Sequence, residues 1–207
     1  MTIDEMKRLS ARLVGDARRA GAETAEVTFV EQMKFTVEVR RGAIEKLIES
    51  VSSTIDIELS IDTRKAAVSS SDLSEASLSA LIADAIELAR VMDRDECFSL
   101  PPAGELGVAG GDLATYDPES LALSAGRKTS LALDLERVAL AMDARIIPDR
   151  SSFSNRCRSA VFANSLGFCE GWRQTSNKLV LSCAVEDCPA RSENTGKRQS
   201  SCWHSEA

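Results

Sequence analysis

Histidine and cysteine are the side chains from which hydrolytic and metal sites are most often built, and this chain has one histidine and six cysteines. The histidine is His204. A Ser-His-Asp, Cys-His or zinc-hydrolase arrangement would have to use this single imidazole. We interpret His204 as a surface residue in a tail. We therefore predict no catalytic residue, no metal ligand and no bound cofactor in this chain.

The cysteines do not follow the spacing of a zinc or redox motif. None forms a Cys-x-x-Cys pair, and none has a sequence neighbour that plainly activates its thiol. In a reducing compartment such residues are small buried side chains or incidental surface thiols. A cysteine-dependent enzyme stays open as a further hypothesis that rapid labelling of one thiol would support. The six are Cys97, Cys157, Cys169, Cys183, Cys188 and Cys202.

Paired carboxylates can serve as general acid and base, and Asp56 and Glu58 point to one face of a predicted strand, as do Glu38 and Arg40. Because apolar residues alternate with Asp56 and Glu58, we interpret them as the exposed face of a sheet. The glycine-rich residues 107–111 lack a Lys-Ser/Thr end and a preceding parallel strand. They predict a loop and not a phosphate-binding site.

The net charge of -7 opposes contact with phosphate backbones. The Arg40-Arg41 and Arg64-Lys65 pairs are too small and too mixed with acids to form a nucleic-acid surface. The longest stretch without a charged residue, 159–169, is too short for a membrane-spanning helix, and no apolar export signal follows the acidic start. We predict a cytoplasmic protein without direct nucleic-acid or membrane partners.

The spacing of apolar residues changes along the chain from helical to strand-like. A capping box at Thr2 and Glu5 predicts a helix that ends at Gly21. Between residues 25 and 70 the period is two, which predicts a meander of antiparallel hairpins with breaks at residues 41–42 and 62–64. The pattern is weakest at residues 44–49.

Two further helices and a hairpin are predicted after this meander. Asp72 should cap a helix on the dry face of the sheet, with the apolar stripe Leu78, Leu81, Ile82, Ala85, Leu88, Ala89 and Met92. Asp117-Pro118 should begin a helix that reaches about residue 145, with the stripe Leu121, Ala125, Ala132, Leu135, Ala139 and Met142. Strands at residues 159–163 and 178–185 should flank a turn at residues 164–167.

The composition predicts four consecutive parts and an α+β fold class. These parts are an N-terminal α+β domain (1–95), a Pro/Gly-rich connector (96–115), a helix and β-hairpin continuation (116–185) and an irregular tail (186–207). The predicted architecture is an antiparallel sheet of hairpins with helices packed on one face, followed by an incomplete second β-containing part. Because the pattern fades after Glu186 without a closing element, we expect a truncated chain.

The order of these motifs resembles the N-terminal half of the TldD/PmbA family. The resemblance covers residues 1 to about 185 and rests on Arg40-Arg41-Gly42, Thr63-Arg64-Lys65, Ser71-Asp72-Leu73-Ser74, Asp95-Glu96-Cys97, Tyr116-Asp117-Pro118 and Asn164-Ser165-Leu166-Gly167-Phe168. The segment from residue 64 to residue 74 is more similar to the PmbA branch, also called TldE, than to TldD. Ala66 stands where a glycine is common in the family.

The resemblance implies a cytoplasmic metalloprotease that is assembled as a TldD/TldE heterodimer and that degrades or matures peptides and unfolded proteins. In that family zinc is held by a His-Glu-x-x-x-His helix and a later cysteine of TldD. This implies a zinc-carrying TldD-like partner and no zinc ligand in this chain. We expect a truncated TldE-like subunit, inactive alone, whose sheet helps to hold an extended peptide. The alternative is a stand-alone peptide-binding or assembly module without catalytic activity.

Overall fold

The computed structural model describes residues 1–97, 100–107, 113–185 and 199–202. It confirms the predicted α+β class. The helices and strands are, in chain order, α1 (Ile3–Arg19), β1 (Thr24–Arg40), β2 (Ala43–Ile61), β3 (Arg64–Ser70), α2 (Glu75–Val91), a 3-10 turn (Ala103–Glu105), α3 (Pro118–Ala122), α4 (Ala125–Met142), β4 (Ile146–Asn164), β5 (Cys169–Val185) and β6 (Gln199–Cys202).

The strands form one sheet in the order β3-β2-β1-β4-β5-β6. β2 and β3 are antiparallel, with Ile55 opposite Ser70 and Ile61 opposite Arg64. The Ser165 N–H donates to the Ala25 carbonyl at 2.8 Å, so the end of β4 lies beside the start of β1. The predicted meander of antiparallel hairpins is therefore confirmed, and residues 44–49, where the sequence pattern was weakest, belong to β2.

The chain divides into two compact units, each of which combines three separate segments. The first unit contains Met1–Gln32, Val51–Thr115 and Arg158–Gln174. The second unit contains Met33–Ser50, Tyr116–Cys157 and Thr175–Ala207. β1, β2, β4 and β5 each contribute residues to both units. The four consecutive parts expected from composition stay a prediction.

In the first unit α1 begins at the predicted capping box. The Thr2 hydroxyl accepts the Glu5 N–H at 3.2 Å, and a Glu5 carboxylate oxygen accepts the Thr2 N–H at 2.7 Å. This exchange satisfies two of the donors that a helix leaves free at its start. Gly21 follows the helix with a φ of 109°, a conformation that glycine adopts without a Cβ clash. The apolar face of α1 buries Met6, Leu13, Val14 and Ala17.

The core of the first unit lies between the sheet and helices α1 and α2. Strand alternation buries Val27, Phe29, Ile55, Ile57 and Leu59 completely, as their period of two predicts. Helix α2 covers them with Leu78, Ile82, Ala85, Ile86 and Ala89.

Two details of α2 differ from the prediction. The prediction that Asp72 caps the helix was wrong, because the N-cap is Ser74, whose hydroxyl accepts the Ser77 N–H. Asp72 instead accepts the Ser74 N–H at 2.9 Å in the loop before the helix. The stripe was also wrong at its edge, since Leu88 and Met92 are 38% and 44% exposed. The buried face of the helix includes Ile86, which the predicted stripe omitted.

In the second unit the predicted single helix from residue 117 is two helices. Asp117 caps α3 as predicted, but Leu123 leaves the helical conformation with a ψ of 129° and ends α3. Ser124 then caps α4 by accepting the Arg127 N–H at 3.2 Å. The apolar stripe was partly wrong. Ala132 and Ala139 are buried and Met142 is 78% exposed, while the polar residues Lys128, Thr129 and Glu136 are buried on the same helix.

The hairpin of β4 and β5 is longer than predicted in both strands. β4 begins at Ile146 and not at residue 159, because buried polar side chains such as Ser151 and Asn155 conceal its period of two. The predicted turn is confirmed, with the Asn164 carboxamide oxygen accepting two backbone N–H groups at 3.1 Å and Gly167 at a φ of 93°. The tail predicted to be irregular contains β6, whose Cys202 lies opposite Leu181 of β5.

Candidate functional site

The carboxylates singled out in the sequence lie on the outer face of the sheet in the first unit. Asp56 and Glu58 line an open groove of about 420 Å³ together with Glu26 of β1 and Phe162 of β4. Burial, and then the neighbouring Glu58, raise the pKa of Glu26 above its ordinary value. Glu58 forms an ion pair with Lys65. Glu26 therefore belongs to the same acidic face as Asp56 and Glu58. The sequence analysis did not single it out, because it lies on a different strand.

The other predicted charged pair, Glu38 and Arg40, lies in the second unit. Arg40 forms ion pairs with Asp149 at 3.5 Å and with Glu45 at 3.9 Å. Glu38 pairs with Arg150 at 3.8 Å. All of these side chains are partly exposed, and such pairs stabilise a fold by at most about 1 kcal/mol. Arg40 is therefore part of a mixed-charge surface around the β1–β2 turn.

The thiols do not converge on a common site within the described ranges. Cys157 is buried, Cys97 is exposed, and Cys169 donates to the Lys7 carbonyl at 3.6 Å. Burial raises the pKa of the Cys169 thiol, which opposes formation of a reactive thiolate. His204, Cys188 and most of the glycine-rich loop at 107–111 lie outside the described residues.

Zinc requires three or four converging His, Cys or carboxylate ligands. Among the residues that the structure describes, no group of three such side chains is close enough to hold a metal ion. These described residues do not fit a zinc site. None of the described helices has the length and apolar character that crossing a lipid bilayer requires.

The feature of the second unit best suited to binding is the outer edge of β2. β3 pairs with β2 only from Ile55 to Ile61, and on its other side β2 is adjacent to β1. Within the described part of the chain, residues 43–50 therefore have no strand on the side away from β1. We call residues 43–50 the open edge. An unpaired strand edge presents a row of backbone donors and acceptors to any extended chain.

The turn between β1 and β2 determines which backbone groups face outward. Arg41 and Gly42 both have positive φ angles, 53° and 74°, as a two-residue hairpin turn of the primed type requires. In such a hairpin the flanking residues Arg40 and Ala43 exchange hydrogen bonds with each other. We therefore expect the N–H and C=O groups of Ile44 to point away from β1, followed at alternate positions by those of Lys46 and Ile48.

The side chains of the open edge are exposed on both faces of the strand. All eight residues are exposed, including Ile44 at 53%, Leu47 at 48% and Ile48 at 39%. Long apolar edge strands are normally shielded by charge, by proline or by a bound chain. The open edge contains no proline, and its charged residues are Glu45, Lys46 and Glu49. An added strand would lie beside exposed apolar side chains on both faces and would meet these three charges.

A buried carboxylate of α4 holds the turn that leads into the open edge. Glu136 is only 2% exposed, and its two oxygens accept the Arg41 N–H at 2.6 Å and the Gly42 N–H at 2.7 Å. Hydrogen bonds from backbone N–H groups to a charged acceptor are stronger than neutral ones. They offset the strain of a positive φ at the non-glycine residue Arg41.

The neighbouring strand β1 is fixed by apolar and polar packing under the same helix. Phe35, Val37 and Val39 form a cluster with Ala132 and Phe153. The buried Lys128 ammonium group lies 5.0 Å from the Phe35 ring centre and donates to the Asn155 side-chain oxygen at 3.1 Å. The open edge is thus attached to a strand whose inner face is well packed.

Sequence reasoning did not find Glu136 or Lys128. The sequence did contain a signal. These two charged residues are eight positions apart on one face of α4, where the helical period required apolar side chains. A charged side chain on a buried helical face needs a specific partner. In this case the partners are the backbone of the Arg41-Gly42 turn and Asn155, both distant in sequence.

The comparisons with known proteins agree with this architecture. Residues 25–89 match the family model described as PmbA/TldA metallopeptidase domain 1. The metalloprotease PmbA homolog of Haemophilus influenzae is 29% identical over 182 residues, which are 87% of this chain and 39% of that protein. The metalloprotease PmbA of Escherichia coli O157:H7 is 27% identical over 167 residues, 80% of this chain and 36% of that protein. This chain is therefore similar to the PmbA metalloproteases over most of its length, and residues 25–89 match the first domain of that family.

Solved structures show the same fold as this chain. A Bacteroides thetaiotaomicron protein, described as a candidate modulator of DNA gyrase, superposes with a TM-score of 0.84 at 24% identity, covering 95% of this chain and 44% of that one. TldE from Thermococcus kodakarensis superposes with a TM-score of 0.75 at 13% identity, covering 86% and 40%. The chain spans about two fifths of the length of the curated PmbA relatives it matches.

The Glu136 contacts predict a specific loss of stability when the carboxylate is replaced. Glu136→Gln should lower the free energy of unfolding by roughly 2–4 kcal/mol, because one carboxamide oxygen cannot accept both turn N–H groups and the amide donor opposes one of them. Urea denaturation followed by circular dichroism measures the change.

The matched control is Asp134→Asn on the same helix, where an exposed carboxylate pairs with Arg137. This control should change the free energy of unfolding by less than about 0.5 kcal/mol. Equal effects of the two substitutions would show that the carboxylate of Glu136 does not hold the turn.

Proposed function

We propose that this chain is a PmbA-like, or TldE-like, subunit of a cytoplasmic metallopeptidase and that its open edge holds an extended peptide or unfolded segment. Relatives named metalloprotease PmbA support the class of enzyme. The observation that carries the binding role is the row of outward backbone groups along residues 43–50. We assign zinc and bond hydrolysis to a TldD-like partner in a heterodimer, as the family resemblance implies.

Backbone pairing suits a subunit that handles unfolded or precursor peptides. Each outward residue of the open edge offers one N–H donor and one C=O acceptor, and these groups are the same in every peptide. A strand added at an edge obtains its affinity from these main-chain bonds, with side chains adjusting specificity. Folded proteins have few free extended segments and would be excluded. The geometry therefore supports selection by conformation more than by sequence.

The open edge is held in place at its turn and along the neighbouring strand, which favours binding of an extended segment. Glu136 fixes the turn at one end of the edge, and the Phe35 cluster fixes the strand beside it. A fixed edge reduces the entropy that would be lost when a peptide is ordered against it. The chain would thus act by holding a substrate while the partner cleaves it.

Replacement of Lys46 by proline tests the binding role directly. The Lys46 N–H points away from β1, so Lys46→Pro removes an outward donor and leaves the bonds between β1 and β2 in place. We expect about tenfold weaker binding of a fluorescein-labelled, permanently unfolded polypeptide, because the loss of a central main-chain bond interrupts the pairing. Fluorescence anisotropy measures the affinity.

The matched control is Lys46→Ala, which removes the same side chain and keeps the N–H. It should bind the labelled polypeptide within about twofold of the unsubstituted chain, since one exposed side chain contributes little to main-chain pairing. Circular dichroism and thermal unfolding establish that both variants are folded. If a folded Lys46→Pro variant binds the polypeptide as tightly as Lys46→Ala, the open edge is not the binding site.

The proposed partnership is tested by affinity capture of the tagged chain from a lysate of its source organism. We expect co-elution of a second chain with a His-Glu-x-x-x-His motif and about one zinc ion per heterodimer, measured by mass spectrometry and metal analysis. A metal-free eluate in which no such chain is present would contradict the heterodimer. That result would favour the alternative of a stand-alone peptide-binding module.

A further inference from the structure

The open edge carries a different pattern of side chains on each of its two faces. Ile44, Lys46 and Ile48 share one face, and Glu45, Leu47 and Glu49 share the other, because successive side chains of a strand alternate. One face therefore presents a cation between two apolar residues. The opposite face presents an apolar residue between two acids.

Two of these charges remain available to a bound segment. In the described part of the chain, Lys46 and Glu49 make no ion pair, whereas Glu45 lies 3.9 Å from the Arg40 guanidinium. Arg40 also pairs with Asp149. Glu45 is still 54% exposed and keeps an unshielded side toward solvent. A strand added beside residues 43–50 would bring its own side chains to about 5 Å from these groups.

We infer that the open edge selects extended segments whose alternating charges complement its two faces. The preferred segment has cations opposite Glu45 and Glu49 and an apolar residue opposite Leu47. On its other face it has an acid opposite Lys46 and apolar residues opposite Ile44 and Ile48. This inference rests on the proposed function and adds a class of substrate to it. The occupant is an amphipathic peptide strand with one net positive charge in six residues.

The charge pattern also separates correct from incorrect registers. A slip of one residue along the edge moves every side chain of the bound strand to the other face. A slip in one direction would place a cation opposite Lys46, and a slip in the other direction would place the acid opposite Glu45. Like charges opposite each other in a sheet are destabilising. The two faces of the open edge therefore define both the preferred sequence and its alignment.

Three labelled peptides and the full 207-residue chain test this inference. The matched peptide contains Lys-Val-Val-Glu-Lys-Val, which places each charge opposite its complement in an antiparallel pairing. The inverted peptide contains Glu-Val-Val-Lys-Glu-Val, and a scrambled peptide keeps the composition and net charge of the matched one. We expect the matched peptide to bind about tenfold more tightly than the inverted one at low salt, with a smaller difference at high salt.

A charge-reversed variant supplies the second measurement. The triple substitution Glu45→Lys, Lys46→Glu and Glu49→Lys should bind the inverted peptide more tightly than the matched one. The control Glu87→Lys changes the net charge by the same amount at an exposed position of α2 and should leave the preference unchanged. The scrambled peptide should bind the unsubstituted chain more weakly than the matched peptide. Thermal unfolding verifies that each variant is folded.

The outcomes distinguish this inference from the proposed function. Equal binding of the three peptides, with weaker binding in Lys46→Pro, would overturn the charge preference and leave the edge as a sequence-independent site. Binding of none of the peptides, and of no unfolded polypeptide, would overturn the proposed function itself. A dimer in sedimentation analysis that dissociates on Lys46→Pro would show that a second copy occupies the edge and would overturn the peptide assignment.

Discussion

The arrangement of the second unit depends on one buried carboxylate. Glu136 accepts both N–H groups of the Arg41-Gly42 turn, and it does so from a helix face that is otherwise closed to solvent. A charged group in that position is stable only while these donors remain in place. The turn geometry in turn sets which residues of β2 face away from β1. The binding properties proposed for the open edge follow from this constraint.

The two units show two ways of using the same long strands. In the first unit Ile55, Ile57 and Leu59 of β2 are completely buried, with α1 and α2 packed on the sheet. In the second unit residues 43–50 of the same strand are exposed on both faces. The strand is therefore a structural element in one unit and an accessible edge in the other.

The sequence predicted the elements whose signals are local. The Thr2 and Glu5 capping box, the alternation through Ile55 to Leu59 and the Asn164 turn depend on neighbouring residues, and all three are confirmed. The break at Leu123, the early start of β4 and the roles of Glu136 and Lys128 depend on distant contacts. A polar residue with a distant partner has the same local pattern as an exposed one. This is why the open edge could be predicted as a strand but not as a binding site.

Hydrogen exchange of the β2 amides tests whether the edge at residues 43–50 is open, because it reports whether each N–H group is hydrogen-bonded. In the isolated chain, the amides of Ile44, Lys46 and Ile48 should exchange much faster than those of Glu45, Leu47 and Glu49, which face β1. Addition of an unfolded polypeptide should slow the first set. Slow exchange of all six amides in the isolated chain would show that the edge is already covered and cannot bind a peptide.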